Sequence, residues 1–507
     1  MNITKKLTHA AALGSLALAG TACAAIDTDT MTVSIYQTTR QGDRLKEIEP
    51  IATDIKSDYS LKLDNSKTYQ TLIGIGGSFT ESSAQVLSEL SATKREIAMR
   101  KYFAPSGAHI SLTRTHMASC DFSVTNYTYA PIPGDTELKH FSIEPDRKYL
   151  LGMIKDAQKI PGADFKILAS PWTAPPWMKT NNTWNGGSLL REHYQTFADY
   201  FVKYIDAYEA EGIDIWGITP TNEPLGNNSN WESLHFTAEE MTTWIAGYLG
   251  PTLDKGAPDV QIWGYDQNRG HHLEEWADTI YGNETAAQYV DGMAVHWYES
   301  TNTVSSESLD YVHEKYPNKG ILHSEGCIDA MGDDEEIGVW LEDDWYWRKE
   351  ATDWGWLWAP EHQKKYHPKY APFYRYARDL IGGLNHHLTG WIDWNMFLNT
   401  RGGPNHARNY CLAPILVDSG RDAIYVTPLY YAIAHVSKFI RPGAVRVGLS
   451  GHDDEFMATA FRNTDGSTAI VIFNLLEEDK TYNVQSGDQT LTVAIPGQAL
   501  QSILIKN

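Results

Sequence analysis

Eight short apolar runs, with helical patterns filling most of the gaps between them, constrain this chain more than any other feature of its sequence. They cover residues 72–75, 109–114, 165–169, 213–218, 260–264, 292–296, 320–323 and 389–392. The helical pattern is clearest over 149–160, 190–211, 238–249 and 374–384. Short strands alternating with helices predict parallel βαβ units. Eight such units fit an α/β fold, a closed (β/α)8 TIM barrel, whose active sites collect at the C-terminal ends of the strands. An open doubly wound sheet is the competing arrangement. Its dinucleotide fingerprint is missing, because Gly74-Ile-Gly-Gly77 after the first run has the wrong spacing.

The flanks read differently. Alternating β patterns occupy 32–36 and 60–63 before the barrel, and 468–473, 491–494 and 502–505 after it. They predict an accessory β-sandwich built from both termini. The expected division is 1–24 leader, 25–71 N-terminal sandwich strands, 72–425 barrel and 426–507 the C-terminal part of the sandwich. The leader has Lys5 and Lys6, an apolar run over 10–19, and Ala22-Cys-Ala24 as a small-residue cleavage site. Its apolar run is too short to span a bilayer, and no other stretch qualifies as a transmembrane segment. Export to the periplasm or exterior is expected. Lipid anchoring through Cys23 ranks below it, since Gly20 stands where a lipoprotein signal prefers Leu.

Losing the leader takes the formal charge from −22 to −24. So acidic a surface repels phosphate backbones and argues against nucleic acid as a partner. Three cysteines then remain, Cys120, Cys327 and Cys411, which is no disulfide framework; at most one bridge is possible and none is required. Seventeen Trp and 28 Tyr among 507 residues fit either a well-packed core or a cleft lined with flat rings, which stack on the apolar faces of sugars.

Two carboxylates stand at ends of these runs. Glu223 follows the fourth, in Thr221-Asn-Glu-Pro224, and Glu325 follows the seventh, in Ser324-Glu-Gly-Cys327. In a closed barrel those two ends face each other across the mouth. A pair held ~5–5.5 Å apart is what a retaining glycosidase needs, one as nucleophile and one as acid then base. The charge of one also keeps the other protonated. Further strand ends supply Asp121, Trp172, His296 with Tyr298, and Trp394 with Asn395. The paired histidines His271-His272 and His386-His387 have no partner at ligand spacing, so neither a metal nor any other cofactor is expected.

The chain resembles glycoside hydrolase family 30, which includes glucosylceramidases and β-1,6-glucanases. The motifs are Met117-Ala-Ser-Cys-Asp-Phe-Ser123, Ser170-Pro-Trp-Thr-Ala-Pro-Pro-Trp-Met-Lys179 and Thr221-Asn-Glu-Pro224 in the first half of the barrel. Ala294-Val-His-Trp-Tyr298, Ser324-Glu-Gly-Cys327, Asp393-Trp-Asn395 and Gly402-Gly-Pro-Asn405 follow in the second half, and Val436-Ser-Lys-Phe-Ile-Arg-Pro-Gly443 lies beyond it. The resemblance implies that Glu223 is the acid/base and Glu325 the nucleophile. It also implies that Asp121, Trp172, Asn222, Trp394 and Asn405 hold a glucosyl unit, with His296 and Tyr298 beside the nucleophile. One departure is His406, where many relatives have an aromatic residue after the Asn of Gly-Gly-Pro-Asn.

The insertion over 329–360 carries six of the 17 Trp beside a cluster of acids, and is expected to form either a packed lid or a wall of the leaving-group subsite. The activity expected is that of an exported retaining β-glucosidase acting on β-1,6-linked glucan or gluco-oligosaccharide. Glucosylceramide is the alternative substrate, and a non-catalytic glucan-binding protein the rival from another class. Oligomeric state is not encoded in any of these features.

Overall fold

The computed structural model describes residues 32–51, 56–226, 230–300, 303–329, 371–487 and 489–506. The leader and residues 330–360 of the Trp-rich insertion lie outside the described residues.

Eight parallel strands close into a barrel: β1 (Gly74–Phe79), β2 (Leu112–Met117), β3 (Lys166–Pro171), β4 (Gly217–Ile218), β5 (Gln261–Asn268), β6 (Val290–His296), β7 (Gly320–Glu325) and β8 (Leu388–Asn395). Neighbours pair in chain order, and β8 closes on β1 through Gly390↔Gly74 to Asp393↔Gly77. Each of the eight apolar runs overlaps one strand. The N-terminal end of the barrel is plugged by Leu112, Leu168, Trp263, Ala294, Leu322 and Ile392, which form a cluster of their own. Trp263 fills the middle because Gly292 and Gly320 face it; a Cβ at Gly292 would overlap its indole ring.

Side chains on a strand alternate in direction, so the residue two positions beyond an inward one also points inward. The layer above the plug therefore reads Arg114, Ser170, Thr219, His296, Ser324 and Trp394, all buried. Strand β5 breaks the parity. Its register shifts between Tyr265 and Gln267, with positive φ at Tyr265 (72°) and Asp266 (59°). Tyr265 packs outward on Trp276 with ring centroids 5.3 Å apart, and Asp266 enters the barrel in its place.

The outer helices bury one face each. Tyr194–Ala210 presents Phe197, Phe201, Tyr204 and Tyr208 inward, a spacing that follows the helical period. Each such aromatic contributes about 1.5–3 kcal/mol by burial. Gly212, at φ +78°, ends it; the Gly212 and Ile213 N–H groups turn back to Glu209 and Tyr208 carbonyls.

Nine further strands form one hydrogen-bonded order that makes the β-sandwich. The N-terminal strand Thr32–Thr38 pairs with Leu500–Lys506, the last of the chain, and Tyr59–Thr71 inserts between Val445–Ser450 and Lys480–Ser486. Its core includes Ile35, Leu61, Phe456, Ile470, Tyr482 and Ile503. Both ends of the chain thus build the accessory domain. Helix Pro428–Ser437 bridges the two domains, and its buried His435 sits 2.8 Å from both Thr38 and Ser502 hydroxyls.

Candidate active site

The polar layer above the plug is organised by Arg114, whose side chain is entirely buried. Its Nε donates to Ser170 Oγ at 3.0 Å, and Nη2 donates to Asn222 Oδ1 at 2.8 Å and Asp266 Oδ2 at 2.7 Å. Its Nη1 donates to Glu325 Oε2. The guanidinium also lies over Trp172, 4.8 Å from the ring centroid, and over Trp394 at 5.6 Å. A planar fork with five donors suits this site; an ammonium could not reach all four partners. The second oxygen of Glu325 accepts from the Tyr298 hydroxyl at 2.9 Å.

Glu223 sits just past β4 in a left-handed backbone conformation, φ 49°, which non-glycine residues seldom adopt. Two backbone bonds hold the segment: Asn222 N–H to the Pro171 carbonyl at 2.8 Å, and Glu223 N–H to the Asp266 carbonyl at 3.0 Å. The carboxyl keeps 14% exposure, and its Oε1 lies 3.5 Å from His296 Nδ1. His296 Nε2 is 3.0 Å from Asp266 Oδ1, which also accepts from Ser324 Oγ at 2.6 Å. Glu223, His296, Asp266, Arg114 and Glu325 therefore form one continuous polar chain across the barrel mouth.

Charge balance decides which carboxyls hold protons. Burial would raise the pKa of Asp266, but the Arg114 charge and the bonds from His296 and Ser324 outweigh it and keep Asp266 well below the usual carboxylate range. Burial likewise opposes the His296 imidazolium, yet the Glu325 charge and the contacts to Asp266 and Glu223 raise its pKa to about 9. Two cations, Arg114 and His296, thus face two anions, Asp266 and Glu325. Glu223 and Asp121 rise instead. Glu223 is raised by burial and by the Glu325 charge, against the pull of His296. Asp121 is raised to about 8, by burial and again by Glu325.

Trp172 and Trp394 stack with centroids 5.0 Å apart and 21° between planes. Asp121 Oδ2 accepts from Asn409 Nδ2 at 2.8 Å, while its buried Oδ1 has no hydrogen-bond partner among the described residues and is the oxygen left for a ligand. The Asn405 amide closes on the Asn409 backbone, donating to its carbonyl and accepting its N–H at 3.0 Å. Asn405 thus holds the turn, and Asn409 reaches Asp121. His406 lies 2.9 Å from the Ser123 carbonyl through Nδ1 and 3.2 Å from buried Glu232 through Nε2. Asn126 donates to the other Glu232 oxygen at 2.7 Å.

All nine residues expected at the site lie in this assembly or directly beside it. Sequence reasoning missed Arg114, Asp266 and Asn409. Arg114 carried a signal, a charge inside an apolar barrel strand that has to find buried partners. Asp266 is a carboxylate two residues past the fifth apolar run, which was equally visible. Asn409 had no signal of its own. Among the described residues no three His, Cys, Asp or Glu side chains converge as a metal ion requires.

The model of the glycosyl hydrolase family 30 TIM-barrel domain matches residues 72–346 and 361–440, and that of the family's β-sandwich domain matches 443–503. The chain belongs to glycosyl hydrolase family 30. It is a glycoside hydrolase, and the retaining mechanism is general to the family. The chain is 33% identical to the lysosomal acid glucosylceramidase of Mus musculus over 93% of this chain and 89% of the mouse enzyme. It is 26% identical to an endo-1,6-beta-D-glucanase of Neurospora crassa, over 85% of each. Among solved structures, an endo-β1,6-glucanase superposes with a TM-score of 0.78 at 28% identity, over 93% of this chain and 98% of the other. SrfJ of Salmonella typhimurium superposes at 0.81 with 27% identity, over 94% and 100%.

Proposed function

We propose that Glu325 is the nucleophile and Glu223 the acid/base of a β-glucosidase acting on β-1,6-linked glucan or gluco-oligosaccharide. The observation that carries the assignment is the charge balance around Arg114. It leaves Glu325 bonded to a guanidinium, as a nucleophilic carboxylate should be, and raises Glu223, as a proton donor should be. In the first step a Glu325 oxygen attacks the anomeric carbon while Glu223 gives its proton to the departing glycosidic oxygen. The bond between carbon and leaving oxygen breaks, and an α-linked glucosyl-enzyme forms. In the second step Glu223 takes a proton from water, whose oxygen displaces Glu325 and restores the β configuration.

Arg114 and Tyr298 stabilise the Glu325 carboxylate when it leaves. Asn222, its Oδ1 held by Arg114, offers its amide N–H to the 2-hydroxyl, a bond that strengthens as positive charge develops on the ring. Asp121, protonated near neutral pH, supplies a donor to a sugar hydroxyl, and the Trp172–Trp394 stack walls the subsite. The acidic chain suits a neutral soluble glucan better than an anionic lipid surface, and the leader-like first 24 residues fit export. The 33% identity to a glucosylceramidase favours glucosylceramide as the second reading.

Product analysis on β-1,6-glucan, branched β-1,3-glucan and glucosylceramide vesicles in parallel separates them. Glucose or gluco-oligosaccharides released fastest from β-1,6-glucan are expected. Faster release from glucosylceramide overturns the substrate, and no release from any of the three, nor from an aryl β-glucoside, overturns the enzyme.

A further inference from the structure

Cys327 and Cys411 are buried, and their sulfurs stand 2.8 Å apart, closer than unbonded sulfur atoms ordinarily sit. The backbone supports the approach. Residues Ile328–Asp329 pair antiparallel with Cys411–Leu412, with Asp329 opposite Cys411, so Cys327 and Cys411 lie diagonally on one face of the ribbon. Each cysteine is two residues from a side chain of the site. Cys327 follows Glu325, and its sulfur lies 3.5 Å from the Tyr298 hydroxyl that also bonds Glu325. Cys411 follows Asn409, which holds Asp121.

We propose that Cys327 and Cys411 are a redox modification site: they form a disulfide that ties the segment following Glu325, at the end of β7, to the turn carrying Asn405 and Asn409. The oxidant is a small-molecule disulfide such as oxidised glutathione. One cysteine, as thiolate, attacks it, forms a mixed disulfide and expels one glutathione thiolate. The other cysteine, as thiolate, then attacks the protein sulfur and expels the second. The protein loses two electrons and two protons, and the oxidant becomes two molecules of reduced glutathione. Burial of both sulfurs makes the exchange wait on local opening.

Two consequences follow. The bridge closes a loop spanning 84 positions, and cross-linking so long a loop restricts the unfolded chain. The Tyr298 hydroxyl has one proton to share between Glu325 and Cys327, and a disulfide sulfur competes for it less well than a thiolate or thiol, so Glu325 is better held. This second consequence rests on Glu325 being the nucleophile; the bridge itself does not.

The test is to equilibrate the full chain in oxidised or reduced glutathione, map peptides by mass, and measure Tm and kcat in each state. A linked Cys327–Cys411 peptide, two hydrogens lighter than its parts, is expected only after oxidation. With it come a Tm raised by several degrees and a kcat raised about threefold. Cys411→Val should abolish both differences, and Cys120→Ser should keep them. The wild-type comparison stands alone if Cys411→Val does not fold. Absence of the linked peptide after oxidation in mild urea, or a bridge to Cys120 instead, overturns the site. A linked peptide with unchanged Tm and kcat overturns the tie. Loss of turnover on every glucoside leaves the peptide and Tm readings intact, so failure of the glucosidase assignment is distinguishable.

Discussion

Arg114→Met removes one charge from the polar layer while nearly preserving the side chain's length. The guanidinium is fully buried and donates to Ser170, Asn222, Asp266 and Glu325. Without it two carboxylates remain in a desolvated site with His296 as the one cation of the chain that links them to Glu223. Deleting one partner of a buried pair costs about 3–5 kcal/mol. At about 1.4 kcal/mol per pH unit, that moves the pH at which the site takes up a proton upward by roughly two to four units. Activity that needs the site's negative charge is lost as pH falls through this higher value. On an activated aryl β-glucoside, the acid limb of kcat/KM should shift up by that amount, and at pH values below both limbs the loss should reach ~10²–10⁴. Arg114→Lys keeps the charge but not the fork, so its limb should stay near the wild-type position with a loss of roughly tenfold. Near-UV circular dichroism checks that both variants fold. A methionine variant with an unmoved acid limb, or with less than about a tenfold loss, would refute the charge-balance reasoning.

The raised pKa of Glu223 predicts an alkaline limb in kcat/KM for glucosides with poor leaving groups, as the proton is lost with rising pH. A dinitrophenyl glucoside, which needs no proton, should show that limb much reduced in the glycosylation step; equal limbs for both substrates contradict the role. His406→Ala leaves buried Glu232 without its imidazolium, at about 2 kcal/mol. Burial lowers the His406 pKa, but the Glu232 bond outweighs it and leaves the folded value raised. Its stabilisation is therefore complete below the unfolded value and lost as pH rises through the folded one. The Tm gap between wild type and variant should be wider at pH 6 than at pH 9, and a gap independent of pH contradicts the pairing.

The barrel was legible because its strands are apolar runs cut off by glycine, proline or polar residues, and all eight appear where those runs stand. Glu223 and Glu325 were legible for the same reason, each standing just beyond a run. Their partners needed parity. Counting two residues on from Leu112, Leu168, Ala294 and Leu322 gives Arg114, Ser170, His296 and Ser324, so much of the polar layer is implicit in the plug beneath it. The same count from Trp263 gives Tyr265, which is wrong. Left-handed backbone at Tyr265 and Asp266 shifts the register there, and neither residue is a glycine that would have announced it. Asn409 was hidden differently. Its contact with Asp121 spans 288 positions, a pairing that only the folded chain creates.

The division of labour between Glu223 and Glu325 is tested most directly by the stereochemistry of chemical rescue. Glu223→Ala, given an activated aryl β-glucoside and azide, should still form the glucosyl-enzyme on Glu325 and release a β-glucosyl azide, whose anomeric configuration is read by proton NMR. Glu325→Gln should give no turnover under the same conditions. An α-glucosyl azide from the Glu223 variant, or unimpaired hydrolysis by either variant, would contradict the account.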